Sequence, residues 1–331
     1  MTKAPRILGI GHYVPEKVLT NADLEKFVDT SDEWITSRTG IKERRVAAEG
    51  EAVSDMALVA SRRALESAGM TADDLTHIIL CTLTPDFFCP PAACILEEKL
   101  GVRGKAAFDL NAACSGFVNG IETGRAFLSL HEDAKVLVVA AESLTSRTNW
   151  KDRTTCVLFG DGAGAVILGN APLEGAKHDA AIQDVELKSD GAFGHLLTVG
   201  GGSAAPAKLG EIVDERHFIQ MNGPEVFKVA VRSMESVCRE VLERNSLTAD
   251  DIDFFIPHQA NYRILDAVAR KLGLPAEKVC VTVDRYGNSS ASSIIIALSE
   301  AVHDGRIKPG CRVLLGVFGG GFTWGSAILQ F

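Results

Sequence analysis

One block of this sequence occurs twice. Leu65-Glu66, running through Thr71-Ala72-Asp73-Asp74-Leu75 to Ile79, is matched by Leu242-Glu243, running through Thr248-Ala249-Asp250-Asp251-Ile252 to Ile256, at a constant offset of 177 residues. In each copy an amphipathic helical pattern passes through a T-A-D-D turn into an apolar strand. The same offset pairs Val136-Leu137-Val138 with Val313-Leu314-Leu315. A single offset shared by two separated blocks is the trace of a duplicated unit. The 331 residues are therefore expected to fold as two halves, 1–172 and 173–331, related by a pseudo-twofold. Near each half's end Gly164-Ala165-Val166-Ile167-Leu168 resembles Gly325-Ser326-Ala327-Ile328-Leu329, but at an offset of 161. The drop of 16 places an insertion in the first half between about Glu142 and Gly160, containing Thr148-Asn149-Trp150-Lys151-Asp152-Arg153. Long insertions usually carry function.

Strand candidates are Ile7 to Ile10, His77 to Cys81, Ala106 to Leu110, Val136 to Ala140, Ala163 to Leu168, Phe254 to Ile256, Val279 to Val283, Val313 to Val317 and Ser326 to Leu329. They alternate with helical patterns, which makes the class α/β. One helix in each half is unusual. Gly116, Gly120 and Gly124 recur every four residues, although glycine costs about 1 kcal/mol at a helix position, and Ser289, Ser293, Ala297 and Ala301 form a second row of small residues. Something must approach these rows closely. Apolar residues around the rest of each helix (Phe117, Val118, Ile121; Ile294, Ile295, Leu298) point to burial on several sides, as between two sheets.

Charge and cysteine usage narrow the function. A formal net charge of −9 argues against a nucleic-acid partner, which calls for clustered Lys and Arg on a basic domain. No apolar run approaches the roughly 18 to 20 residues of a membrane span, and no signal-peptide core can be drawn after Lys3 and Arg6, so the expected compartment is the cytoplasm. Eight cysteines without a C-x-x-C pair fit neither a disulfide framework nor a metal site.

Three residues stand where a strand gives way to a helix. Cys114, in Asn111-Ala112-Ala113-Cys114-Ser115-Gly116-Phe117, meets the positive end of a helix dipole, which favours the thiolate and a lowered pKa. Read alone, a cysteine is far more often a small core residue. His258 follows the apolar Phe254-Phe255-Ile256-Pro257, at the carboxyl end of a strand, where α/β sheets bind ligands; a satisfied core histidine is its plainer reading. Asn288, in Tyr286-Gly287-Asn288-Ser289-Ser290, reads by itself as a turn residue or N-cap. Brought together, they would make a nucleophile with polar groups able to hold an adjacent negative charge.

These segments, with Thr30-Ser31-Asp32-Glu33-Trp34-Ile35, Arg38-Thr39-Gly40-Ile41, Phe159-Gly160-Asp161-Gly162-Ala163-Gly164-Ala165, Pro257-His258-Gln259-Ala260-Asn261 and Phe318-Gly319-Gly320-Gly321-Phe322-Thr323-Trp324-Gly325, carry a family likeness. From Ile7 to Phe331 the chain resembles the type III β-ketoacyl-acyl carrier protein synthases, thiolase-fold enzymes that start fatty-acid synthesis. The resemblance implies two pseudo-twofold halves in α-β-α-β-α layers, a homodimer, no tightly bound cofactor, and acyl-CoA and acyl carrier protein as substrate and partner. It implies that Cys114 takes an acyl group from a short acyl-CoA, and that His258 and Asn288 stabilise the enolate formed as malonyl-acyl carrier protein loses carbon dioxide. The backbone N–H groups of Cys114 and Gly320 would hold the oxyanion. Trp34 and Arg153 would sandwich the adenine of coenzyme A, with Thr30 and Arg38 nearby. Lys228, Arg263, Arg270 and Lys271 would dock the acidic carrier protein.

Two positions depart from the family pattern. In Phe87-Phe88-Cys89-Pro90-Pro91, Cys89 stands where some relatives have a phenylalanine that closes the acyl pocket, so Phe88 and Cys89 form the expected gate and a strict acetyl preference is not implied. Pro224 replaces an asparagine seen in relatives. Three rivals use the same residues differently: a condensing enzyme of a polyketide or quinolone-like pathway, a Cys-His-Asn hydrolase, and a non-catalytic thiolase-fold binding protein.

Overall fold

Two rows of small residues set how the layers stack. The computed structural model describes residues 4–173, 178–200 and 217–331. In the first half β1 (Arg6–Tyr13) leads to the hairpin of β2 (Lys17–Thr20) and β3 (Glu43–Val46), which carries α1 (Asn21–Leu24) and α2 (Asp32–Thr39) between its strands. There follow α3 (Val53–Ala68), β4 (His77–Cys81), α4 (Ala92–Lys99), β5 (Ala106–Leu110), α5 (Gly116–Leu130), β6 (Val136–Ser143), α6 (Arg153–Cys156) and β7 (Asp161–Gly169). The second half contains β8 (Ala180–Ser189), β9 (Leu197–Val199), β10 (Ile219–Met221), α7 (Gly223–Arg244), β11 (Phe254–Pro257) and α8 (Tyr262–Leu272). It ends with α9 (Val283–Tyr286), α10 (Ser292–His303), β12 (Arg312–Gly319) and β13 (Thr323–Gln330).

The main sheet has the order β11-β12-β13-β8-β1-β7-β6-β4-β5, in which β11-β12-β13-β8 mirrors β4-β6-β7-β1 about the β8–β1 seam and β5 extends the first half by one strand. That seam is only two residue pairs long, Arg6 with Ala181 and Ile7 with Ala180. β6 is buried on both faces, which is why it is a continuous apolar run and not an alternating one. Its Val136, Val138 and Ala140 face a central core with α5 and α10, while Leu137, Val139 and Ala141 face an outer core with α3 and α4. In the other half α7 and α8 cover the outer face through Phe255, Leu314 and Ile328. The layers are therefore α-β-α-β-α.

The glycine row explains the central layer. A Cβ on Gly120 would lie 2.6 Å from Cys81 Sγ and 2.7 Å from Val138 Cγ1, and one on Gly124 would lie 2.6 Å from Leu168 Cδ1, so α5 rests directly on β4, β6 and β7. The repeated T-A-D-D turns take the same form in both halves: the carboxylates of Asp74 and Asp251 accept the backbone N–H of Thr71 and Thr248, each at 2.8 Å.

In the main sheet the structure differs from the sequence expectation at two places. Val279 to Val283 does not form a strand; only Val279 bridges to Phe255, and Val283 begins α9. The strand β8, absent from the candidates, joins the two half-sheets; its Gln183, Asp184 and Glu186 interrupt the apolar pattern because only one of its faces is buried. The segment between β6 and β7 is long and holds α6, whereas β12 turns into β13 within a few residues, so the inserted segment lies where the change of offset puts it. The expected boundary near residue 172 falls in the connection between β7 and β8.

The packing of α5 gives a stability test. In a free helix Gly120→Ala gains about 1 kcal/mol, but here the added methyl must displace Cys81 and Val138 from a filled core. Overpacking of this kind costs about 1–3 kcal/mol, so the variant should unfold at lower urea than the wild type; an unchanged or higher midpoint would contradict this packing.

Candidate active site

Cys114 is presented by a strained elbow. After β5, Asn111 Oδ1 accepts the N–H of Ala113 at 3.1 Å, and Ala113 is held at φ 46°, a left-handed conformation that costs a residue with a Cβ about 1–2 kcal/mol. The chain then makes a 3-10 turn, Ala113–Ser115, straight into α5. The turn leaves the Cys114 side chain 9% exposed at the head of the helix. Burial pushes its thiol up to about 12; a hydrogen bond from Ser290 at 3.3 Å opposes the rise and the charge of Glu142 adds to it. This corrects the expectation of a helix-stabilised thiolate. Desolvation outweighs the dipole, and the resting group is a thiol.

His258 follows β11, its N–H donating to Gly316 O at 2.8 Å and its Nδ1 lying 2.7 Å from Ser293 Oγ. Ser293 Oγ also accepts the N–H of Gln259 at 3.2 Å. With the Ser293 hydroxyl proton directed to Nδ1, the neutral ring carries its own proton on Nε2. Burial lowers the His258 pKa to about 4, so the ring is neutral at pH 7. Asn288 is fixed by its backbone, which donates to Leu158 O at 2.8 Å and accepts from Gly160 N at 3.0 Å. Its Oδ1 accepts the N–H of Ser290 at 2.8 Å, which leaves Nδ2 as the group it offers to the cavity it lines. His258 and Asn288 thus present N–H donors.

Cys114, His258 and Asn288 line one cavity of about 940 Å³. Its walls come from both halves. Gly319 abuts the nucleophile, since a Cβ there would lie 2.6 Å from Cys114 N, and Gly320 lines the cavity beside it. Trp34 and Arg38 also line it, and Met234 and Phe318 are among its apolar lining residues. Arg38 and Arg153 both lie over the Trp34 ring, with guanidinium carbons 4.5 and 4.9 Å from its centroid. Arg153 also donates to Asp29 O at 2.8 Å. The slot expected between Trp34 and Arg153 is therefore closed by the guanidinium itself, and an adenine would have to displace it. Thr30, just before α2, has a buried hydroxyl without a partner.

Lys228 and Arg263 also line the cavity, Lys228 paired with Glu225 at 2.7 Å and Arg263 over the Phe227 ring. Arg270 and Lys271 lie farther along the exposed face of α8, away from the cavity wall. On the loop after β4 Phe88 is 79% exposed at the cavity's edge, while Cys89 is exposed and does not line the cavity of its own chain. Sequence reasoning passed over Ser290, Ser293 and Glu142. Ser293 had a visible signal as part of the small-residue row, whereas Glu142 read as the start of the insertion.

A neutral His258 has a consequence for stability. Its folded pKa near 4 lies below the ordinary 6.5, as does that of His12, also lowered to about 4 by burial. Between about pH 6.5 and 4 the unfolded chain binds protons that the native chain refuses, so stability should fall as pH falls through that window. Urea titrations at pH 7 and pH 5 should show this loss, and His258→Gln should reduce it. Imidazole nitrogen NMR should find His258 neutral with the proton on Nε2 at pH 5.5; an imidazolium there would refute the assignment.

Comparison with known proteins agrees with this geometry. Residues 108–191 match the family model "3-Oxoacyl-[acyl-carrier-protein (ACP)] synthase III", and residues 242–331 match its C-terminal model. A β-ketoacyl-[acyl-carrier-protein] synthase III of Oleidesulfovibrio alaskensis is 55% identical over the whole of both chains. One from Xanthomonas campestris pv. campestris is 50% identical over 98% of each. The crystal structure of 3-oxoacyl-[acyl-carrier-protein] synthase III from Aquifex aeolicus superposes with a TM-score of 0.90 at 45% identity, covering 99% of this chain and 100% of that one. With relatives of this identity along its full length, and with a cysteine thiol, a neutral imidazole and an amide lining one cavity, the chain belongs to the 3-oxoacyl-[acyl-carrier-protein] synthase III family of condensing acyltransferases.

Proposed function

We propose that the chain catalyses a decarboxylative Claisen condensation of a short acyl-CoA with malonyl-acyl carrier protein, the initiating step of type II fatty-acid synthesis. The observation that carries this reading is the convergence of Cys114, His258 and Asn288 on a single cavity that is also lined by apolar residues and by Trp34 and Arg38. Cys114 Sγ attacks the acyl thioester and coenzyme A leaves. Malonyl-acyl carrier protein then enters, and the Nε2–H of His258 and the Nδ2–H of Asn288 donate to its thioester oxygen as carbon dioxide departs. A neutral imidazole suits this task, because the donor needs a proton on Nε2 and no change of charge. The resulting carbanion attacks the acyl-cysteine, whose oxyanion is held by the N–H groups of Cys114 and Gly320. Preorganised donors of this kind contribute about 3–4 kcal/mol each.

The acyl group occupies the apolar side near Met234 and Phe318, with Pro224 also on the wall. The adenine stacks on Trp34 in place of Arg153, with Arg38 and Thr30 beside it, by the stacking and cation–π attraction that indole and guanidinium both offer. Arg263 and Lys228 at the cavity, backed by Arg270 and Lys271 on α8, form a local positive patch on an otherwise acidic protein, which suits an acidic carrier protein. No tightly bound cofactor enters this scheme, and the compartment it suits is the cytoplasm. Among the described residues no helix is long and apolar enough to cross a membrane.

The quaternary proposal is a homodimer. β5 ends the sheet with one edge open to a further strand, and Phe87 and Phe88 are 62% and 79% exposed on the neighbouring loop. In a dimer joined along β5 the loop holding Phe88 and Cys89 would reach the partner's acyl pocket. Sedimentation velocity at micromolar concentration should give about twice the 35.3 kDa chain mass; a monomer would remove this proposal.

Separating the half-reactions tests the assignments. Cys114→Ala should yield no acyl adduct by mass spectrometry after mixing with acetyl-CoA or longer and branched acyl-CoAs. His258→Ala and Asn288→Ala should still acylate but lose about 10²–10³-fold in carbon dioxide release from malonyl-acyl carrier protein. Arg263→Glu should raise KM for malonyl-acyl carrier protein while sparing acylation. Loss of acylation with decarboxylation intact in either the His258 or the Asn288 variant would reverse the division of roles between thiol and donors.

A further inference from the structure

β3 turns a charged side chain into the interior. Arg44 is fully buried, and its guanidinium bonds neutral oxygens: Nη2 donates to Val157 O at 2.6 Å, and Nη1 donates to Asn21 Oδ1 at 2.9 Å and Leu19 O at 3.1 Å. Burial lowers its pKa to about 10, so the group is still a cation at neutral pH. Burying a charge without an opposite charge is costly, and an apolar side chain of similar size would fill the same space without that cost. What the guanidinium supplies instead is a planar fork of donors. One side of the fork holds the junction of β2 and α1, and the other holds the carbonyl that follows α6.

The segment held in this way is the one on which Asn288 rests. Leu158 O accepts the backbone N–H of Asn288 at 2.8 Å, Gly160 N donates to Asn288 O at 3.0 Å, and Phe159 bridges Asn288 as a parallel pair. Both backbone bonds of Asn288 are thus made to residues directly beyond the carbonyl that Arg44 fixes. The stem of Arg44 packs against the same pair of segments. A Cβ on Gly160 would lie 3.1 Å from Arg44 Cβ, and so would one on Gly287, the residue before Asn288. Nearby, the N–H of Lys42 donates to Asp284 O at 2.9 Å, which registers the start of β3 on α9.

We propose that Arg44 is a positioning residue for decarboxylation: it fixes the 157–160 segment so that the Nδ2–H of Asn288 meets the thioester oxygen. The inference rests on the reading of Asn288 as an enolate donor and deepens it. Arg44 stands behind the wall and touches no substrate, whereas Val157, Leu158, Phe159 and Asn288 line the cavity. A donor of this kind works because it is aimed before the charge develops. Asn288 Oδ1 is already bound to the Ser290 N–H, so the direction of Nδ2 follows the backbone of Asn288 and the segment beneath it. His258 is held by Gly316 O and Ser293 Oγ, on other elements. Two donors to a single oxygen are therefore aligned by separate supports, and loss of Arg44 shifts one of them relative to the other.

A purely structural role would slow both half-reactions, while positioning confines the loss to the step that uses Asn288. Arg44→Gln removes the fork. It should lower kcat for carbon dioxide release from malonyl-acyl carrier protein about 10²-fold, the cost of a misplacement of about 1 Å, with little change in KM. Acylation of Cys114 by acetyl-CoA should keep its wild-type rate. In a double-mutant cycle with Asn288→Ala, adding Arg44→Gln should slow decarboxylation no further, because the group it positions is already gone. Equal loss in both half-reactions, or additive losses in the cycle, would overturn the proposal.

Hydrogen exchange followed by mass spectrometry gives a readout without turnover. In Arg44→Gln the peptide containing Asn288 should exchange faster, while the peptide containing His258 should exchange as in the wild type. Unchanged protection at Asn288 also overturns the proposal. Should Arg44→Gln fail to fold, Arg44→Lys, which brings one ammonium in place of the fork, goes through the same measurements and decides. If Asn288→Ala alone leaves carbon dioxide release untouched, the donor reading of Asn288 fails, and the exchange measurement still decides whether Arg44 holds the segment.

Discussion

The active site depends on one close approach, that of two helix N-termini across the pseudo-twofold. A Cβ on Gly116, at the start of α5, would lie 3.3 Å from Ala291 Cβ, which immediately precedes α10. Only small residues permit this distance, and it is what brings the elbow carrying Cys114 within hydrogen-bond reach of the elbow carrying Ser290. Both elbows use a left-handed residue at the same repeat position, Ala113 in one half and Ser290 in the other. The same backbone device was kept twice and loaded with chemistry differently: a thiol follows one elbow and a methyl group the other. The rows of small residues in α5 and α10 follow from this, because a bulky residue along either helix would lift it from its half-sheet and carry the elbow away.

Burial acts on the two titrating groups in opposite directions with one result. It raises Cys114 to about 12 and lowers His258 to about 4, so both are uncharged at pH 7. With these two groups uncharged and buried, each N–H donor gains strength in the low dielectric around it. The arrangement costs a ready-made thiolate. That cost makes the removal of the thiol proton a distinct physical step.

Much of this was legible in the sequence, because periodicity and repetition report backbone. The shared offset located corresponding strands in the two halves, the change of offset located the segment holding α6, and the glycine row located the buried helix. Cys114, His258 and Asn288 stood out through their position at strand-to-helix junctions. What was not legible depends on distance across the axis. Ser290 and Cys114 lie 176 positions apart in the chain, and no local pattern announces that the hydroxyl of one comes within 3.3 Å of the thiol of the other. The polarity of β8 hid a strand with one buried face, and Val279 to Val283 has the composition of a strand but finds no ladder beyond one bridge. The protonation state of Cys114 was misjudged because a helix dipole can be read from sequence and the depth of burial cannot.

The repeat also shows why neither half could retain the chemistry alone. At the offset of 177 His258 corresponds to Cys81, Cys114 to Ala291 and Asn288 to Asn111. Cys81 lies against Gly116 and Gly120, a space with no room for an imidazole, so the first half cannot pack its buried helix and carry a histidine there as well. Ala291, in turn, must be small enough to meet Gly116. The residues that let one half seat the helix under the nucleophile are the residues that exclude the catalytic groups of the other. The thiol and the two proposed donors are consequently divided across the axis by packing, and they share one cavity only because the two elbows touch.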